Sequence, residues 1–269
     1  MRRRLDAELV RRDLARSRAH ALELVAAGAV TLDGHVASKP ATQVDGAQAL
    51  VVKTEQADLY ASRGGDKLAG ALQALGSSAP TIKDQVCLDA GASAGGFTDV
   101  LLRRGAALVH AVDVGYGQLA WQLRTNPKVL VKDRTNVRHL QPGDLKPQPQ
   151  LVVADLSFIS LTTVLPALSA VATPSAHLFT LVKPQFEVGK KALPAGGVVK
   201  DKAARAGAVW RVAQAASDLG LATLDLVESP LPGPSGNHEF FLHLAKSSQG
   251  LSATEIKATI MQVTGGDLP

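Results

Sequence analysis

An α/β fold is predicted for most of this chain. It has a largely parallel sheet of seven strands with helices on both faces, preceded by a small α+β unit. Three observations lead there. From residue 62 onward, short apolar runs alternate with helix-length segments. Before residue 54 the pattern is instead two short helices and a hairpin. Between them lies TEQADLYA, residues 54–61, a polar stretch with the composition of a linker. The expected division is therefore 1–53, 54–61 and 62–269.

The elements follow in order. In RLDAELVRRDL the apolar residues Leu5, Leu9, Val10 and Leu14 recur at helical spacing. Ser17 is a suitable N-cap for RAHALELVAAG, whose apolar face is read as Ala21, Leu22 and Val25. Gly28 is the expected helix stop. AVTLDGHVA reads as two short strands around Asp33-Gly34, a strong hairpin signal. SKPAT follows and cannot continue as a regular helix. In the larger part, strands are expected over Val86–Ala90, Val109–Val114, Val129–Lys132, Leu151–Asp155, Leu178–Lys183, Thr223–Glu228 and Glu239–Leu244. GGFTDVLLRRG and DKAARAGAVWRVAQAASDLG supply helices between them. The last strand comes after a loop rich in proline and glycine, SPLPGPSGN, and is expected as an antiparallel edge.

Composition excludes several function classes. Of 269 residues 46% are hydrophobic, ample for a core, and no window approaches a membrane-spanning apolar run. The basic N-terminus has no apolar segment behind it, so it does not read as a signal peptide. Cys87 is the single cysteine, which excludes a disulfide framework and a Cys-rich zinc site. No metal is expected, and a reducing, cytoplasmic location fits. Net charge is +5, and its placement is uneven. Residues 1–53 hold nine Lys/Arg against six Asp/Glu, and seven arginines fall within the first twenty residues. Arginine suits phosphate because its guanidinium is planar and bidentate, so nucleic acid is the natural partner. The competing reading is that these arginines only pair with Asp6, Glu8 and Asp13.

CLDAGASAGGFTDVLL is an apolar strand, a Gly-rich turn and a helix. Gly91, Gly95 and Gly96 would let the backbone approach a ligand at a helix start, with Ala92, Ser93 and Phe97 in the same turn. The dinucleotide fingerprint G-x-G-x-x-G is absent, and so is the G-K-[ST] of a P-loop. The turn is closer to the glycine motif of S-adenosylmethionine-dependent methyltransferases. Three acids then fall at successive strand ends: Asp113 in VHAVDVG, Asp133 in VLVKDRTN and Asp155 in LVVADLSFIS. Ligands of open α/β sheets bind outside such ends, where Asp113 could accept from ribose hydroxyls and Asp133 would lie near an adenine. Each acid could instead cap a helix. Lys183 ends the apolar strand HLFTLVK just before Pro184, a costly place for a cation unless it meets a carboxylate. Lys67 sits one turn into the helix of SRGGDKLAGAL.

These segments resemble known families. The signature RLD…L-A-R-S-R…DG…KP from Arg4 to Pro40 is similar to the αL RNA-binding module first seen in ribosomal protein S-four. That resemblance implies RNA contacts through Arg4, Arg16, Arg18 and Lys39, and Arg63 is placed with them at the start of the second part. SRGGDKLAGAL, CLDAGASAGGFTDVLLRRGA, AVDVGYGQLAWQLR, VVADLSFISLTTVLPAL, LVKPQFEVGK and SPLPGPSGNHEFF resemble the FtsJ-type ribose 2′-O-methyltransferases, and the whole chain resembles their TlyA branch. The resemblance implies a Rossmann-like class I methyltransferase domain using S-adenosyl-L-methionine. A Lys–Asp–Lys–Glu tetrad maps onto Lys67, Asp155, Lys183 and Glu239. It also implies a cytidine ribose in large-subunit rRNA as target, and in small-subunit rRNA for members with terminal extensions such as MRRRLDAELVRR and LSATEIKATIMQV. A monomer acting on ribosomal RNA or subunits, without membrane contact, is expected.

Three rivals stand beside this reading. The TlyA branch is also known as haemolysin A, which suggests a membrane-lytic protein, but nothing in the composition supports one. A non-catalytic RNA-binding or assembly factor would not need Lys183 and Glu239 together. A small-molecule methyltransferase would leave the arginine-rich front unexplained.

Overall fold

The computed structural model describes residues 2–12, 14–15, 18–52, 60–189, 192–246 and 249–268. The chain forms two compact units, Met1–Ser62 and Arg63–Pro269. Asp13, Arg16, Ser17, Lys53 and residues 54–59 of the expected linker lie outside the described residues.

The first unit runs β1 (Arg3–Arg4), α1 (Leu5–Arg11), α2 (Arg18–Ala26), β2 (Val30–Leu32), β3 (His35–Val36), β4 (Gln43–Val44) and β5 (Leu50–Val52). β1 pairs antiparallel with β4, and β2 pairs antiparallel with both β3 and β5. The β2–β3 turn has positive φ at Asp33 (49°) and Gly34 (84°), the tight hairpin geometry that the Asp-Gly pair favours. Leu5, Leu9, Ala21, Leu24, Val25, Val30 and Val44 form its core. Leu22 is exposed, contrary to expectation, and Leu24 packs instead. The reason is helical phase: 21, 24 and 25 share a face, whereas 22 is rotated by about 100° from 21.

The second unit begins with α3 (Arg63–Leu75), β6 (Val86–Ala90), α4 (Gly96–Arg103), β7 (Leu108–Val112), α5 (Trp121–Arg124) and β8 (Val129–Lys132). It continues with β9 (Leu151–Ala154), α6 (Leu161–Val171), β10 (His177–Val182), α7 (Pro184–Glu187), α8 (Lys202–Asp218), β11 (Ala222–Glu228), β12 (Phe240–Ala245) and α9 (Ala253–Thr264). The seven-stranded sheet has the order β11-β12-β10-β9-β6-β7-β8. From β10 to β8 every pairing is parallel. β12 is antiparallel, as expected, but it lies between β10 and β11 rather than at the edge. All six of its residues are buried and five are apolar, with His243 the exception, which suits an interior position.

Chain direction across the sheet reverses between β6 and β9. The chain moves from β6 outward to β7 and β8, then returns to β9 and moves outward to β10 on the other side. A crevice opens at such a switch point, outside the carboxyl ends of the strands. One face of the sheet packs on α6 and α8 through Leu165, Leu168, Val209 and Val212. Elsewhere in the core Phe241 stacks on Phe179, with ring centroids 4.7 Å apart, and meets Phe97 at 5.9 Å.

Candidate active site

The crevice is built from strand ends. After β6 the chain turns sharply at Gly91, with φ of 89°. A Cβ there would stand 2.5 Å from the Asp155 carbonyl oxygen, so only glycine lets the β6 turn close against the end of β9. Gly91 and Ser93 line a cavity of about 520 Å³ together with Val112, Asp113, Asn136, Asp155 and Leu156. Ala92, Gly95, Gly96 and Phe97, from the same turn, are buried and are not among the lining residues. They hold the turn from behind.

Asp113 accepts from the backbone N–H of Ser93 at 2.8 Å and of Gly115 at 2.7 Å, which fixes its carboxylate on the cavity wall. Asp133 stands apart from this wall. Arg124 donates to it at 2.6 Å and Gly117 N–H at 3.2 Å. The Arg124 guanidinium holds its carboxyl below the usual range. Asn136, Thr135 and Gln118 line the cavity, and the sequence reading did not single them out. Beneath the turn Asp89 is fully buried. One oxygen accepts from Thr98 N–H and Oγ1, and the other has no partner. Burial pushes this carboxyl up to about 7.

The four residues of the expected tetrad come together as two ion pairs. Lys183 follows β10 and occupies the N-cap position of the four-residue α7 without a side-chain cap bond, and Pro184 starts the helix. Its Nζ lies 2.5 Å from Asp155 Oδ1 without hydrogen-bond alignment, and donates to Ser157 Oγ at 3.1 Å. Lys67 shares the buried face of α3 with Leu68, Ala71 and Leu72, so the packing of that helix carries it inward. There it meets Glu239 at 2.6 Å. Glu239 also accepts from Gln185 Nε2 at 3.2 Å. Lys67, Glu239 and Lys183 are buried and Asp155 is partly exposed, and each charge meets its opposite, the arrangement that makes a desolvated ion tolerable.

The loop before β12 makes room for Glu239. Ser229 N–H donates to the Glu239 carbonyl and Gly233 N–H to the Asn237 carbonyl, so the loop is closed on itself. A Cβ at Gly233 would stand 2.5 Å from Glu239 Oε1. Asn237 ties this loop to the preceding one by accepting from Val199 N–H and donating to the Gly197 carbonyl. Phe240 and Phe241, next in the chain, are buried and anchor the strand start.

Lys183, Gln185 and Glu239 line a second cavity of about 740 Å³. Ser157, Phe158 and Ile159 border both cavities, so this short loop is their partition. Lys183 and Asp155 therefore span the two chambers. Ser157 and Gln185 are polar members of the site that strand-end reasoning could not single out. Ser160, not Asp155, caps α6, accepting from Thr162 N–H.

In the first unit Arg4 and Arg18 are half exposed and both bond Asp6. Lys39 is exposed. Arg63 opens α3 and is partly exposed.

Comparison with known proteins finds two matching families. The FtsJ-like methyltransferase family model matches residues 60–246, and the S4 domain model matches residues 3–50. A Mycobacterium tuberculosis protein named 16S/23S rRNA (cytidine-2'-O)-methyltransferase TlyA is 54% identical, covering 96% of this chain and 96% of that protein. Hemolysin A of Brachyspira hyodysenteriae is 32% identical over 89% of this chain and 98% of its own length. A solved structure from Streptococcus thermophilus overlays with a TM-score of 0.76 at 36% identity, covering 98% of this chain and 96% of that one. With a strand-end crevice, two ion pairs at it and full-length relatives of this kind, the chain belongs to the FtsJ-like methyltransferase family and carries an S4 domain at its N-terminus.

Proposed function

We propose that this chain methylates the ribose 2′-hydroxyl of cytidines in ribosomal RNA, in large-subunit 23S rRNA and also in small-subunit 16S rRNA. The observation that carries the reading is the placement of Lys183 and Asp155, one on each side of the partition between two cavities. One chamber would hold a methyl donor and the other a nucleoside. The names of the relatives supply the base, the hydroxyl and the two RNAs.

The first cavity fits S-adenosyl-L-methionine by its donor set. Asp113 offers acceptors for ribose hydroxyls, and Val112, Val137, Leu156 and Ile159 give apolar walls. Asp155 lines the wall, and a carboxylate favours a cationic ligand. Gly91 and Ser93 present backbone at close range, backed by Ala92, Gly95, Gly96 and Phe97. Asp133 acts one step removed, fixing Arg124 and the Gly117 turn. When bound, the sulfonium supplies an electrophilic methyl group.

The chain's own residues do the rest. A ribose hydroxyl is a weak nucleophile and must be aligned and relieved of its proton. Lys183, held by its ion-pair partner Asp155, is the group placed to orient the hydroxyl or take its proton. Ser157 fixes the direction of the Lys183 Nζ. Glu239 faces the nucleoside chamber, and Lys67 behind it holds that carboxylate in place. Binding and register come from the first unit through phosphate contacts of Arg4, Arg16, Arg18 and Lys39, with Arg63 at the start of the second. Residues 1–53 and 62–269 are thus the RNA-binding and methyl-transfer parts.

Among the described residues no helix is long and apolar enough to cross a membrane. The test of the proposal is transfer of labelled methyl groups to unmodified ribosomal subunits, followed by alkaline hydrolysis of the RNA. Label in alkali-resistant dinucleotides is the expected result, because a 2′-O-methyl blocks cleavage. Label in ordinary mononucleotides would mean base methylation and would sink the reading.

A further inference from the structure

Two carboxylates in the first unit are buried in an odd way for a domain that meets RNA. Asp6 and Glu8, in the first turns of α1, are 2% and 1% exposed. Asp6 is fixed by the Ala7 N–H, which donates to Oδ1 at 2.8 Å. Arg4 grips it with two parallel bonds, Nε to Oδ1 at 3.1 Å and Nη2 to Oδ2 at 3.0 Å. Arg18 reaches the same Oδ2 from α2, also at 3.0 Å. Two guanidinium groups from different elements therefore converge on one oxygen atom. Their side chains remain 47% and 61% exposed.

Elementary electrostatics would hold such cations apart. Here β1 and the α2 N-terminus deliver them, and Asp6 between them offsets the repulsion. The pairing uses two of the five N–H groups of Arg4. Its Nη1 edge is left for an outside acceptor, and the fork is already oriented. Glu8 repeats the device with Arg11, which donates through Nε at 2.8 Å and Nη2 at 2.6 Å. Arg12 differs: it bonds Glu8 and the carbonyls of Asp45, Gly46 and Gln48, so the fold occupies it.

We propose that Asp6 is a positioning residue that sets Arg4 and Arg18 as one phosphodiester clamp, with Glu8 doing the same for Arg11. The inference rests on the reading that this unit binds RNA phosphates. It makes a counterintuitive prediction about charge. Removing a carboxylate from an RNA-binding surface should tighten binding if only net charge mattered. The clamp requires the opposite, because a free guanidinium must lose more conformational freedom on meeting its phosphate.

The test is filter binding of the full chain to in vitro transcribed 23S rRNA across a salt series. Asp6→Asn should weaken binding about threefold to tenfold at about 0.1 M salt, and lower the salt slope by about one. A merely structural role would leave that slope unchanged in the folded fraction. Arg18→Lys keeps the charge at an exposed position but loses the fork, so it decides the matter if Asp6→Asn loosens the unit. It should weaken binding to a similar degree, and the double variant should be little worse than either single one. Asp6→Asn or Arg18→Lys binding as tightly as the parent, with the parent's slope, would overturn the clamp while leaving the RNA reading intact. A parent chain that does not bind this RNA would remove both.

Discussion

The two units use the same chemistry, carboxylate against cation, with opposite exposure. In the first, Asp6 and Glu8 are buried while the arginines around them reach solvent. In the second, both partners are inside: the Lys67 side chain is 8% exposed and Glu239 1%. The first arrangement displays positive charge to something outside the protein. The second keeps both charges in a low-dielectric site, where they act on whatever enters a cavity. On the proposed reading, exposure, more than the pairing itself, separates the binding surface from the reaction site.

Breaking a dry pair should cost the most. Glu239→Ala leaves Lys67 buried without its counter-charge, with an expected loss of about 3–5 kcal/mol in denaturant unfolding. Urea melts of the variant and parent check it, and a loss under about 1 kcal/mol would place water beside Lys67. Gly233→Ala comes next. Its Cβ would press on Glu239 Oε1, so stability should fall by about 1–3 kcal/mol. Methyl transfer should fall with it, since the displaced carboxylate faces the second cavity.

The pH dependences contributed by Asp6 and Glu8 in the first unit and by Asp89 in the second should have opposite signs. Arg4 and Arg18 hold the Asp6 carboxyl at about 2, and Arg11 and Arg12 hold Glu8 at about 2, against ordinary values of 3.8 and 4.5. Their stabilisation is therefore complete above those ordinary values and is lost as pH falls through about 2. Asp89 is the reverse case. Burial raises its carboxyl from 3.8 to about 7, so its ionisation destabilises the fold increasingly as pH rises through that window. Thermal melts of the parent should lose ground between about pH 4 and 7 relative to Asp89→Asn, which removes the ionisation. Parallel curves for the two would show that Asp89 titrates lower than its surroundings imply.

The smallest effect belongs to a pair in the second unit that is not dry. Arg103 and Asp99, one turn apart on α4, sit at 40% and 14% exposure. Asp99→Ala should change stability by no more than about 0.5 kcal/mol, read in the same urea melts. A larger change would blur the contrast between exposed and buried pairs.

Much of this architecture was legible because strand ends leave a simple mark. An apolar run that stops at Asp or Lys, as at Asp113, Asp155 and Lys183, points to a polar group outside the sheet. The Asp33-Gly34 turn was equally plain, since few dipeptides tolerate two positive φ values. What escaped was pairing through space. Asp133 ends a strand like the other acids, yet Arg124 nine residues earlier takes it, and no local pattern announces that. Gln185 and Ser157 are neutral and follow the charged residues closely, so only the packed structure shows them bonding to Glu239 and Lys183. The position of β12 was misjudged because a long loop suggested an edge. Its apolar run, with His243 the exception, was the better guide.

The most direct test of the two-chamber arrangement is Lys183→Met, assayed twice on the full chain. Calorimetry with S-adenosylmethionine should give an affinity within about threefold of the parent, because Lys183 lines the other cavity. Single-turnover transfer to ribosomal subunits should fall by about 10²–10⁴. Near-normal transfer by this variant would contradict the assignment of Lys183 and, with it, the account of how the two ion pairs divide the work.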